Sequence, residues 1–188
     1  MASNNREHIA WSLSGIASIM LLQGNYEETI KMATSAKQLL EDVEDRVAYL
    51  HTLGTMAMTQ YELQDFQSAL QIATDTLTTL ENRGSPISYV ALNGYVYIPY
   101  IWLRITITNS IPVDRKIIKR SLKVMRQFTK IFPIGKPRYQ LLLGLQAIMN
   151  NNKRHAQKQW EQGIELATSL EMPYEKMLIV YHAAFYLN

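Results

Sequence analysis

The densest chemistry in this sequence is a run of seven cations on one predicted helix. Arg115, Lys116, Lys119, Arg120, Lys123, Arg126 and Lys130 recur at steps of one, three and four residues, with Ile117, Ile118, Leu122, Met125 and Phe128 on the opposite stripe. A positive face of this kind can hold an acidic protein surface, phosphates or nucleic acid. The aromatic side chains fall on the packing side rather than between the cations, so stacking on bases is not offered and no nucleic-acid partner is expected. A solvated face, or one that answers the acidic half of the chain, is the simpler reading.

The remaining candidates for chemistry are sparse. His8, His51, His155 and His182 are scattered, with no second histidine or carboxylate at an inward-facing ligand spacing, so no metal is assigned. Ile134-Gly135-Lys136-Pro137 has one glycine, and a proline where a phosphate loop needs Ser or Thr. Glu41-Asp42-Val43-Glu44-Asp45 lacks the glycine and alternating oxygen ligands of a calcium loop. It reads instead as an acidic flank to the next helix N-terminus. The chain contains no cysteine, which removes disulfides, thiolate metal sites and a cysteine nucleophile together. No catalytic residue, cofactor or metal ligand is assigned, and the chain is expected to be non-catalytic.

These residues need a scaffold, and composition supplies one: 188 residues, 47% hydrophobic and 19% charged, describe one soluble domain, 1–188, with a cytoplasmic setting as the default. The net charge of +3 hides a split. Residues 1–84 hold 5 Lys/Arg against 11 Asp/Glu, whereas 85–188 hold 14 against 5. Two apolar runs mimic membrane signals. Ile9 to Leu22 lacks a basic lead and a cleavage site, and Tyr89 to Thr108 contains Asn93, Pro99 and Arg104, so no membrane insertion is expected.

Sliding the chain by 40 residues places Leu13 on Leu53, Ile16 on Met56, Ala17 on Ala57, Tyr26 on Phe66, Thr29 on Ala69 and Ala33 on Ala73. Each unit is a helical hairpin, with Asn25 (and Glu28 three residues on) and Asp65 as helix caps. Arg83-Gly84-Ser85-Pro86 reads as a helix stop followed at once by a start. Asn109-Ser110-Ile111-Pro112 links the third pair, and Phe132 to Pro137 forces a loop. In the fourth unit Gly144 stands for Ala17 and Ala57, and Asn151-Asn152 makes the turn. Ala156, Trp160 and Gly163 follow at the spacing of Thr29, Ala33 and Ala36. The fold predicted is all-α, with hairpins at about 7–41, 45–81, 86–131 and 137–170 and a lone helix at 174–187. An ordinary helical bundle is the alternative.

The small and large positions just quoted resemble the tetratricopeptide repeat, which implies a solenoid whose first helices line a groove. The groove positions would be Trp11, Ser14, Ser18, Leu21, His51, Met58, Tyr61, Arg138, Leu141, Leu145 and Ile148. They suit an amphipathic partner helix or another domain of a parent protein. The Lys/Asn/Arg set that clamps a peptide carboxylate in some members is missing.

A second resemblance lies in the last third. Phe132-Pro-Ile-Gly-Lys-Pro-Arg-Tyr139, Gly144, Trp160-Glu-Gln-Gly163 and Leu170-Glu-Met-Pro-Tyr-Glu175 are similar to the helical tail of soluble, bicarbonate-responsive adenylyl cyclases and related signalling ATPases. The resemblance implies a regulatory tail, or a piece or relative of one, whose catalytic domains lie elsewhere; the alternative is membership of a cyclase polypeptide that makes cyclic nucleotides. The apolar stripe Met177, Leu178, Tyr181, Ala184 and Phe185 on the lone helix fits a piece of a longer array.

Overall fold

The structure, a computed structural model, describes residues 2–41, 45–82, 84–108 and 111–187. Among these residues the fold is all-α. The helices are α1 (Ala2–Leu22), α2 (Tyr26–Glu41), α3 (Arg46–Glu62), α4 (Phe66–Glu81), α5 (Leu92–Ile107), α6 (Arg115–Ile131), α7 (Lys136–Met149), α8 (Lys153–Ser169) and α9 (Pro173–Leu187). Single 3-10 turns at Tyr89–Ala91 and Pro133–Gly135 precede α5 and α7. The chain packs as two compact units, Met1–Ile101 and Trp102–Asn188. None of the described helices is long and apolar enough to cross a membrane.

The 40-residue register reappears as burial in the first unit. Ala17 and Ala57, Ala33 and Ala73, and Thr29 and Ala69 are each fully buried, two helix faces meeting through side chains no larger than threonine. Small residues matter because packed interiors leave no slack for an added methyl group. The limit is reached where α3 meets the start of α5. A Cβ on Gly54 would lie 2.4–2.5 Å from backbone atoms of Asn93 and Gly94, and one on Gly94 would lie 2.6 Å from the Leu50 carbonyl oxygen.

The second unit solves the same problem differently. Gly144 leaves space that the Trp160 indole fills, and the indole Nε1 donates to the Leu141 carbonyl at 3.1 Å. Trp160 is 1% exposed, so its one polar atom needs that acceptor. Ala156, Trp160 and Gly163 are all buried on α8, and α9 packs against both α7 and α8.

Four tight turns share one geometry. Gly24, Gln64, Asn151 and Glu171 each take a left-handed φ of 53–78°. The next amide reaches back six positions counted inclusively: Asn25 to Met20, Asp65 to Gln60, Asn152 to Ala147, and Met172 to Ala167, at 2.8–3.0 Å. This is the Schellman ending, which satisfies helix carbonyls that would otherwise be orphaned. Asp65 and Asn152 then cap the following helices, accepting from the amides of Ser68 and His155. Asn25 departs from the expected capping box: its side-chain amide donates to Gln23, and Glu28 pairs with Lys31 at 2.7 Å.

Two boundaries also differ from expectation. The helix expected from Pro86 begins at Leu92, after an extended stretch in which Ser88, rather than Ser85, caps the 3-10 turn by accepting from Val90 N. The loop expected over Phe132 to Pro137 is the 3-10 turn Pro133–Gly135 leading directly into α7. Pro137 sits in the first helical turn, where its missing N–H costs nothing. Arg83, Asn109, Ser110 and the Asp42-Val43-Glu44 part of the acidic run lie outside the described residues.

Candidate functional site

Helix α1 and helix α3 are held together by hydrogen bonds between side chains. Thr52 Oγ1 is bound to its own helix at the Ala48 carbonyl, so the Ser14 hydroxyl donates to Thr52 Oγ1 at 2.8 Å. One turn on, His51 Nδ1 lies 2.8 Å from the Val90 carbonyl, which can only accept, so the proton is on Nδ1. Nε2 is then an acceptor and takes the Ser18 hydroxyl at 2.6 Å. Asn93 Nδ2 closes the cluster on Ser18 Oγ and Thr55 Oγ1 at 3.3 and 3.2 Å. Burial pushes the His51 pKa below its ordinary value, against the opposing pull of the Val90 carbonyl, which keeps the ring neutral and the tautomer fixed.

A cavity of about 430 Å³ opens beside this cluster, bounded by Trp11, Ser14 and Gly15 of α1, Ala48 and His51 of α3, and Val90. Asp45 caps α3 with one carboxylate oxygen, accepting from Val47 N and Ala48 N at 2.9 and 3.2 Å. Its other oxygen accepts from the Trp11 indole N–H, so the exposed indole is tethered at the cavity rim. Of the acidic flank anticipated before α3, Asp45 is thus a cap that also positions an aromatic wall. Gly15, also on the wall, has no atom within 4 Å of where a Cβ would stand.

The expected groove residues divide. Trp11, Ser14 and His51 come together at this cavity, and Ser18 stands behind it. Tyr61 is half-buried against Phe66 and Tyr100, at ring distances of 5.7 and 6.3 Å. Leu21, Met58, Leu141 and Leu145 are corrections: they are core, at 7%, 9%, 0% and 0% exposure. The α7 positions lose their open face because α8 and α9 both pack on that helix. Arg138 is also buried rather than groove-lining, because Glu175 of α9 accepts from its Nε at 3.0 Å and the Tyr174 ring lies under its guanidinium. This contact joins the Phe132–Tyr139 and Leu170–Glu175 segments whose co-occurrence carried the second resemblance.

The seven cations of α6 are all exposed, with Ile118, Leu122, Met125 and Phe128 buried beneath them and Asp114 capping the first turn. Among the described residues no group of three His, Asp or Glu side chains is placed to hold a metal ion.

A model of the tetratricopeptide repeat matches residues 8–82 of the chain. That match spans α1 to α4. The chain carries a tetratricopeptide-like helical repeat in an all-α fold. No curated protein and no solved structure matches it. Repeats of this type generally mediate contacts between proteins.

In the second unit His182, 1% exposed, is pushed down to about 4 by burial, with the charges of Arg104 and Arg138 acting in the same direction. A histidine with a folded pKa below its unfolded value binds more protons when unfolded, so stability falls as pH drops from about 6.5 towards 4 and is flat above. The expected loss across that window is about 3 kcal/mol, at about 1.4 kcal/mol per unit. Urea unfolding of wild type and His182→Gln at pH 7.5 and 4.5 checks this: the variant should show the weaker pH dependence, and equal slopes would refute the assignment.

Proposed function

We propose that residues 1–188 act as one non-catalytic helical-repeat domain that binds a polypeptide partner along α1 and α3, anchoring an apolar side chain in the Trp11–His51 cavity. The observation that carries this reading is that both side chains are fixed before any partner arrives, Trp11 by Asp45 and His51 by Ser18 and Val90. A wall already ordered spares the partner the entropy of ordering it. The repeat match over α1 to α4 supports a protein rather than a small molecule as the occupant.

Peptides selected from a random display library against the full chain test the site. Those enriched should carry a large apolar residue and lose at least tenfold in affinity to Trp11→Ala and to Gly15→Leu, which fills the cavity from a position with open space. Enriched peptides indifferent to both variants would place binding elsewhere. Conversion of ATP to cyclic AMP by the purified chain with magnesium or manganese would overturn the non-catalytic part.

A narrower reading makes the domain the regulatory tail of a soluble adenylyl cyclase-type protein. What supports it is that the two resembling segments touch through Arg138, Tyr174 and Glu175, so their joint occurrence has a packing reason. Sequencing the gene upstream of Met1 tests it: a cyclase or ATPase region in frame supports the reading, and an unrelated neighbour removes it.

A further inference from the structure

We infer that the exposed face of α6 is a second docking surface, built for an acidic helix of a partner protein. It is distinct from the α1–α3 cavity and stands or falls separately. Within the seven cations, Lys116, Lys119, Lys123, Arg126 and Lys130 are spaced 3, 4, 3 and 4 residues apart. A repeat of 3.5 residues drifts only about 20° per seven residues around an α-helix, so these five form a nearly straight row about 21 Å long, from 14 residues at about 1.5 Å each. All five are exposed. Among the described residues no carboxylate pairs with any of the four lysines, whereas on α2 Lys31 pairs with Glu28 and Lys37 with Glu41. Like charges one turn apart repel, so the four lysines form a charge arrangement that no carboxylate among the described residues pairs.

Three features choose the occupant. The apolar stripe beneath the row, Ile118, Leu122, Met125 and Phe128, is buried in the fold, so α6 cannot lay that face into a lipid surface as a free amphipathic helix would. No exposed aromatic ring stands among the cations to stack on an unpaired base. A straight row with 3–4 spacing is matched tooth for tooth by carboxylates at the same spacing on a second helix crossing at a shallow angle. A duplex phosphate backbone instead curves away from it.

The test uses the full chain and a labelled 17-residue helical peptide with glutamates at 3–4 spacing on one face. Its controls are a peptide of the same composition with the glutamates spread around the helix, a 17-base-pair duplex, and vesicles containing phosphatidylserine. At low salt the patterned peptide should bind at least tenfold more tightly than the scrambled one. Its affinity should fall with added salt and by at least tenfold in Lys119→Glu/Lys123→Glu, a double variant of two exposed residues whose helicity is checked by circular dichroism. Failure of the patterned peptide, equal binding of the scrambled peptide, or preference for duplex or vesicle would each overturn the inference.

Discussion

A methyl group added at position 54 is expected to destabilise the protein by about 3 kcal/mol or more, the upper end of what overpacking costs. The reason is what the new atom would meet. Flexible side chains can swing aside, but the Cβ of Gly54→Ala would stand 2.4–2.5 Å from the backbone carbon and oxygen of Asn93 and the amide nitrogen of Gly94. Relief requires α3 and α5 to separate, and that separation would pull Asn93 from Ser18 and Thr55, so the loss spreads into the hydrogen-bonded cluster. Gly15→Ala is the matching control on a neighbouring helix. With open space at its Cβ it should gain about 0.5–1 kcal/mol, because glycine inside a helix carries an entropic cost. Urea midpoints of the two variants should therefore move in opposite directions, and a Gly54→Ala midpoint near wild type would mean that the two backbones do not touch.

Removing the Glu175 carboxylate is the second large effect. Glu175→Ala leaves the Arg138 guanidinium buried at 8% exposure without the acceptor of its Nε, and losing one partner of a buried pair costs about 3–5 kcal/mol. Replacing both residues, as Arg138→Met/Glu175→Leu, should recover most of this, since a buried pair exchanged for apolar side chains of similar volume is close to neutral. The outcome is read from a double-mutant cycle by chemical unfolding. A double variant as unstable as the single would show that Arg138 contributes through contacts other than its pair with Glu175, its place over the Tyr174 ring among them.

The sequence made much of the scaffold legible because packing distance is set by side-chain size. Ala17, Ala33, Ala57 and Ala73 stand at one repeat interval, and each is fully buried; a helix pair that close tolerates nothing larger. The left-handed turn at Gly24 was readable from its glycine, whereas the same turn at Gln64 and Glu171 has no such marker and is imposed by the hairpin it closes. Ser85-Pro86 has the residues of a helix start, yet the chain stays extended to Ser88 and so delivers the Val90 carbonyl to His51. No local pattern signals that.

The candidate site was legible only in part for the same reason. Trp11 and His51 fall on the expected face by helical period alone, but period cannot separate an open face from one that a later helix covers. Met58, Leu141 and Leu145 share that periodicity and are core. The Ser18–His51–Asn93 cluster joins residues 33 and 42 positions apart and has no motif that a linear reading could find.

The three tryptophans of the chain occupy three different settings. Trp102 and Trp160 are enclosed, at 6% and 1% exposure, whereas Trp11 at 53% stands at the mouth of the cavity. Their light emission divides accordingly. An indole facing water emits at longer wavelength and is open to quenching by dissolved iodide, and an enclosed one is shielded. The unmodified protein therefore carries its own optical readout, in which the quenchable fraction follows occupancy of the cavity and the shielded fraction follows the integrity of the fold.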